Sequence, residues 1–288
     1  MASPPDAPKP TLADLRGEID RIDEAMHRLL MERGDIIDTL IATKKTAESG
    51  SAFRPAREAD MMKRLVERHR GLLPLDTVES IWRVIIATFT YVQAPFSVHA
   101  DLSPGEAAMR DSARFHFGFT VPFISHIGAS GVVAAIAASR GDIGLVPAMT
   151  ATGASGAWWT ALEGHDAPKI IARLPFVERA DHPAGLQVFA IARPNPDALV
   201  TDVETWSVRV AGWGPAVSRA LDPSADVIAV PDRAFDGAAL LVSVPKGGID
   251  ALVAVMVKAG ASVRSKALVG SHATRYTVTA DGARPAGR

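Results

Sequence analysis

The chain has 288 residues, enough for two or three domains of ordinary size. Its 48% apolar and 22% charged residues allow sizeable cores, and a formal net charge of −1 gives no general pull toward nucleic acid or anionic membrane, so any anion site must be local. With no cysteine, disulfides, thiolate chemistry and Cys-ligated zinc are excluded, which fits a reducing compartment.

Residues 1 to 10, MASPPDAPKP, are Pro-rich and polar and read as a disordered tail. They hold no apolar core of signal-peptide length, and no run of about 18 apolar residues follows, so the cytoplasm is the expected location. From Leu12 to Lys45, apolar residues recur at Leu12, Leu15, Ile19, Ile22, Met26, Leu29, Leu30, Ile36, Ile37, Leu40 and Ile41. These three- and four-residue steps predict one long helix with a buried face. Arg33 falls in register with Ile22, Met26 and Leu29, and Lys44 follows about three turns later, so two cations lie on the apolar side. Burying an unpaired charge costs several kcal/mol; such residues are either paired internally or offered to an anion. At 1.5 Å per residue the helix is roughly 50 Å long and needs a partner to cover it.

TAESGSAF breaks that helix, and Pro55 can open a second one, PAREADMMKRLVERHRGL, which carries Met61, Met62, Leu65 and Leu72 inward with Glu58 on the same face. A third helix from about Asp76 to Gln93 presents Val78, Ile81, Trp82, Ile85, Ile86 and Phe89, with Gln93 in the same register. Arg33, Lys44, Arg57, Glu58 and Gln93 thus reach inward or near-inward positions, and Arg16 sits at the edge of the first helix. Any one of these is as readily a structural ion pair as a ligand-binding group. As a set, three or four cations against one carboxylate leave a surplus that suits a small dicarboxylate.

After Ala94-Pro95-Phe96 the periodicity changes. SPGEAAMRDSARFHF reads as a helix, VVAAIAASRGDIGLVP as a helix followed by a buried strand, and KIIARLPFV and LQVFAIAR as strands. Beyond the Pro/Asn turn at 194 to 196, VRVAGW, DVIAV, ALLVSV and VRSKALVG are strand candidates, with helices near Val217 to Leu221 and Ile249 to Ala259. Trp158-Trp159 reads as a packing anchor. The eight histidines show no metal-site spacing.

The segments LRGEIDRIDEAMHRLLMERGDII, ATKK, RPARE and IIATFTYVQ follow one another with the order and spacing of the all-helical chorismate mutases, and residues 11 to 97 resemble that family over essentially its whole domain. The resemblance implies a three-helix, all-α domain, an intertwined homodimer paired through the long helix, and the Claisen rearrangement of chorismate to prephenate with neither cofactor nor metal. It implies that Arg16 reaches the other subunit's site and, with Arg33, holds the substrate carboxylates. Lys44 would bind a carboxylate and the ether oxygen, Gln93 would donate to that oxygen, Glu58 would accept from the ring hydroxyl, and Arg57 would support the carboxylate side. A unimolecular pericyclic step asks only for folding of the substrate and stabilisation of charge growing on the ether oxygen, which suits fixed cations and an amide. Two positions depart from the family pattern: Arg54 stands where an acidic residue is common, and Phe89 where a small hydroxyl residue is.

Residues 98 to 200 resemble the first lobe of prephenate dehydratase through GVVAAIAASRGDIGLVP, WWTALEG and KIIARLPFV, although AMTATGASG replaces that family's Glu-Asn-Ser run. ATRYTV, Ala273 to Val278, is similar to its Thr-Arg-Phe motif; the plainer reading of SHATR is an ordinary strand with an exposed Arg. Residues 201 to 282 could form a second lobe or an ACT-like βαβ regulatory unit beginning at ALLVSV, and 283 to 288 a tail. The expected whole is a helical mutase followed by an α/β, dehydratase-like region without chemistry of its own. A bifunctional mutase/dehydratase, with Thr274 the residue to test, and a non-catalytic metabolite- or partner-binding dimer are the alternatives.

Overall fold

The computed structural model describes residues 10–44, 52–148, 156–195, 202–222, 225–232, 236–279 and 282–283. The N-terminal tail, the TAESGS break and most of the AMTATGASG loop lie outside the described residues.

Helix α1 (Leu12–Lys44) starts on a reciprocal cap, in which Thr11 N–H donates to the Asp14 carboxylate at 2.9 Å and Asp14 N–H donates to Thr11 Oγ1 at 3.2 Å. Helix α2 (Pro55–Arg68) opens on proline, whose missing N–H has no partner to lose in a first turn. It ends where His69 turns extended, short of the predicted boundary, so Leu72 lies outside the helix and fully exposed rather than inward. Helix α3 spans Leu75–Gln93.

The rest is α/β. Strands β1 (Val98–Asp101) and β2 (Phe123–His126) flank helix α4 (Glu106–Phe117), and helix α5 (Ala129–Ala138) leads into β3 (Ile143–Pro147). A 3-10 turn at Trp158–Leu162 buries both tryptophans against α5 and Phe189. Then come β4 (Lys169–Leu174), the short β5 (Val177–Glu178) and β6 (Val188–Ala192). The C-terminal segment runs β7 (Val203–Ala211), α6 (Pro215–Leu221), β8 (Asp226–Asp232), β9 (Gly237–Pro245), α7 (Ile249–Lys258) and β10 (Ser262–His272). This is a complete βαββαβ unit of ferredoxin-like topology. It begins at β7, two strands earlier than the βαβ predicted from ALLVSV, because DVIAV and ALLVSV form a hairpin inside the unit.

Nine strands make one sheet in the order β2-β1-β3-β6-β4-β10-β7-β9-β8. The two halves meet at the parallel pairing of Gly270 with Ile170. A Cβ at Gly270 would fall on the backbone of Ile170, so only glycine permits this approach. The chain then returns: β11 (Tyr276–Thr279) pairs with β5 in a small second sheet completed by β12 (Gly282–Ala283). SHATR is therefore no exposed strand. His272 ends β10 in the core, and Arg275, between β10 and β11, is paired with Glu178 at 2.7 Å.

Helices α2 and α3 do not form a core of their own. Phe53, Met62, Leu65 and Ile86 pack in one cluster with Phe96, Met109, Phe117, Leu145, Phe176 and Tyr276. Helix α1 behaves differently from the expectation of a buried face. Arg33 and Gly34 meet Phe89 of α3, while Leu29 and Ile36 are 61% and 63% exposed and Leu12, Leu15, Ile19, Ile22 and Met26 share the exposed stripe.

His272 is buried against Phe189, and its Nδ1 lies 2.9 Å from the Ala273 carbonyl. Burial, with Arg173 and Arg275 nearby, pulls its pKa down to about 4. Protons therefore bind the unfolded chain first: the contribution of His272 to stability is complete above about pH 6.5 and is lost as pH falls toward 4, on the order of 3 kcal/mol. The melting temperature of the wild type should drop across that window and that of His272→Gln should drop less; equal slopes in thermal melts would clear His272 of the effect.

Candidate active site

One cavity of about 150 Å³ lies in the helical part, where the second half of α1, the start of α2 and the last turns of α3 converge. Helix α1 contributes Arg33, Ile37 and Leu40, α2 contributes Arg57, Glu58 and Met61, and α3 contributes Ile86, Phe89, Thr90 and Gln93; Ala52 and Arg54 close the side before α2. The helical period sets this up, since Arg33, Ile37 and Leu40 share one face of α1, and Ile86, Phe89, Thr90 and Gln93 share one face of α3.

Arg33 is half-buried with its guanidinium 5.1 Å from the centre of the Phe89 ring. Burial, then the neighbouring Arg57, lowers its pKa from the ordinary arginine value. Among the described residues neither Arg33 nor Arg57 has a carboxylate within ion-pair reach. Phe89, which stands where the resemblance led one to expect a small hydroxyl residue, is thus the surface on which Arg33 rests. Gln93 turns its Nε2 to the Phe89 carbonyl at 3.0 Å, a bond within its own helix that a stronger acceptor in the cavity would have to displace.

Glu58 is tied from behind. Its Oε2 accepts from Arg83 Nη1 at 2.6 Å, both side chains being buried, and its carboxylate also accepts the backbone N–H of Arg54. Burial pushes the Glu58 pKa up, and Arg83 and the Arg54 N–H pull against that. Arg83 in turn donates from Nη2 to the His116 carbonyl at 3.1 Å and lies 5.2 Å over the Phe176 ring. Nothing in the sequence singled out Arg83: with Glu79 one turn before it on α3, it looks like half of a solvent-exposed helix pair. The α/β region covers that face instead.

Of the six sequence-derived site residues, one lies apart from this group and the side chain of another is outside the described residues. Arg16 is exposed on the first half of α1, away from the cavity within its own chain. Lys44 ends α1, and its side chain lies outside the described residues. The remaining four, Arg33, Arg57, Glu58 and Gln93, surround one space. Among the described residues no group of three His, Asp or Glu side chains is arranged to hold a metal ion, and no helix is long and apolar enough to cross a membrane.

The helical part matches a known family. Residues 15–94 match the family described as chorismate mutase type II. The bifunctional chorismate mutase/prephenate dehydratase of Neisseria gonorrhoeae is 31% identical over 103 residues, 36% of this chain and 27% of that protein. The enzyme of the same description from Pseudomonas aeruginosa is 28% identical over 145 residues, 49% of this chain and 40% of that protein. A match of that length runs past the helical domain into the α/β region. The chain spans well under half the length of these relatives. Among solved structures, prephenate dehydratase from Streptococcus mutans aligns over 61% of this chain and 97% of its own, with a TM-score of 0.37 and 12% identity. Residues 15–94 are a chorismate mutase type II domain, an isomerase domain, followed by a mixed α/β region with a distant likeness to prephenate dehydratase.

Proposed function

We propose that the chain catalyses the rearrangement of chorismate to prephenate, working as a pair of subunits joined along α1. The observation that carries the reading is the cavity inside the matched stretch, where Arg33, Arg57, Glu58 and Gln93 face one space with an excess of positive charge. A dicarboxylate supplies the missing negative charge. In this reading Arg33 and Arg57 hold the carboxylates, Glu58 takes the ring hydroxyl, and Gln93 leaves the Phe89 carbonyl to donate to the ether oxygen as the C–O bond lengthens. Lys44 joins it at that oxygen. The gain comes from donors placed where charge develops, and no proton is transferred.

The diene absorbance of chorismate should decay in the presence of the full chain. Gln93→Ala should lower kcat about 10²- to 10³-fold, the range for loss of one donor to a developing oxyanion, and Lys44→Ala by at least as much. Wild-type turnover in both variants would remove the mechanism.

The exposed stripe on α1 supports the pairing, because nine large apolar residues from Leu12 to Ile36 stand exposed among the described residues. Antiparallel packing of two such helices would bring Arg16 of the partner subunit to the cavity. Each site then needs Arg33 from one subunit and Arg16 from the other. Arg16→Ala and Arg33→Ala, each nearly inactive, should when co-refolded in equal amounts recover about a quarter of wild-type activity, since half the dimers are mixed and one of their two sites is whole. No recovery in a preparation shown by light scattering to be mixed dimers would exclude the shared site.

The α/β region reads best as regulatory or associative. Thr274 is exposed and gives its N–H to Asp202, and Arg275 is committed to Glu178, so the segment that is similar to the dehydratase motif is occupied by structural bonds. The βαββαβ unit has the topology of ACT-like ligand-binding modules. Incubation of the full chain with prephenate should give no phenylpyruvate, whereas phenylalanine or tyrosine should raise the melting temperature. Appearance of phenylpyruvate, abolished by Thr274→Ala, would favour the bifunctional alternative.

A further inference from the structure

Behind the cavity wall lies a buried polar cluster that the mutase chemistry does not use. Arg83 on α3 is completely buried and bridges three elements: Glu58 of α2 at 2.6 Å, the His116 carbonyl at the end of α4 at 3.1 Å, and the ring of Phe176, which follows β4. Beside it, His182 Nδ1 accepts the Ala184 N–H, which leaves Nε2 to donate to Glu79 at 3.3 Å. The His116 and His182 rings stack at 6.3 Å. A buried ion pair is held by geometry that its neighbours fix, and a guanidinium fork with one branch on a carboxylate and the other on a carbonyl cannot follow one partner without pulling on the other.

We propose that Arg83 is a positioning residue of the mutase site: it fixes the Glu58 carboxylate in the cavity wall from behind, and it takes its own position from α4 and Phe176, so that the α/β region is part of the mutase apparatus. This rests on the mutase reading above. Glu58 as a lone buried carboxylate has neither a fixed rotamer nor a counter-charge at its back. Arg83 supplies both.

The consequence for pH follows from the groups around Glu58. Arg33 from α1, Arg54 and Arg57 at the start of α2, and Arg83 from α3 are the charges around it, with His116 of α4 and the Glu79–His182 pair behind Arg83. Burial pushes Glu58 toward its protonated form, and Arg83 is the largest opposing influence. Removing Arg83 raises the Glu58 pKa further, so a step that needs the carboxylate loses rate from a higher pH downward.

The test measures kcat and KM for chorismate from pH 5 to 9 with the full chain, comparing the wild type with Arg83→Met, Glu58→Gln and the double variant Glu58→Gln/Arg83→Met. Arg83→Met should lower kcat about tenfold or more at pH 6, with its acid limb moved up by about one pH unit or more and much of the loss regained at pH 9. The double variant should be no slower than Glu58→Gln, because Arg83 acts through Glu58. If Arg83→Met fails to fold, the double variant, which removes both members of the Glu58–Arg83 ion pair, carries the decision: parity with Glu58→Gln supports the proposal, and a further tenfold loss overturns it. A wild type that turns chorismate over while Arg83→Met keeps its rate and pH profile overturns this inference alone. A wild type that leaves chorismate untouched overturns it together with the mutase reading.

Discussion

The contact between Glu58 and Arg83 takes two full charges out of water, and the cost of doing so explains much of what surrounds it. Each ion loses several kcal/mol of hydration on burial, and mutual attraction repays that only with close geometry and with the remaining lone pairs and protons satisfied. The carboxylate therefore also accepts the Arg54 N–H that opens α2, and the guanidinium also donates to the last turn of α4 and lies on an aromatic face. Removing either partner would leave the other charge buried and unmet, a loss of about 3–5 kcal/mol in comparable cases. The start of α2, the middle of α3, the end of α4 and the turn after β4 are consequently fixed relative to one another. Helices that carry a mutase signature in sequence are, in their packing, one wall of an α/β core.

Helix α1 is the exception. Its last turns complete the cavity, while its first two-thirds present an apolar stripe that is left exposed among the described residues. A helix this amphipathic gains its stability from burial of that stripe and not from backbone propensity. The cavity lies where this exposed helix joins the packed remainder of the described residues.

Much of this was legible in the sequence. The 3.6-residue period of α1 to α3 located three helices to within a few residues, and four of the six site residues surround one cavity because helical spacing alone puts Arg33 on the inner side of α1 and Gln93 below Phe89 on α3. Other features were hidden for physical reasons. Strands β1 and β2 are four residues each, too short for a two-residue alternation to register. Glu79 and Arg83 carry the pattern of a solvent-facing pair, and only the arrival of α4 and the loop at His182 buries them. Gly270 in VRSKALVGSH looks like a weak point in a strand, whereas it is where the two halves of the nine-stranded sheet meet; that role depends on Ile170, a hundred residues earlier in the chain.

The return of the chain after β10 joins the C-terminal unit to the wall of the cavity. Strand β10 crosses from the βαββαβ unit to β4, and four residues after its end Tyr276 pairs with Val177 and gives its N–H to the Phe176 carbonyl at 2.9 Å. The ring of that same Phe176 lies under Arg83, and Arg83 holds Glu58. From β10 to the cavity, therefore, a continuous series of chain, hydrogen-bond, ring and ion-pair contacts runs. Contiguity is not coupling, which is a free energy between two ligands and exists only if one of them favours a different arrangement of these contacts. It does define where such coupling would have to pass, because a ligand on the βαββαβ unit can reach Arg83 by this route only through the seating of β11 on β5.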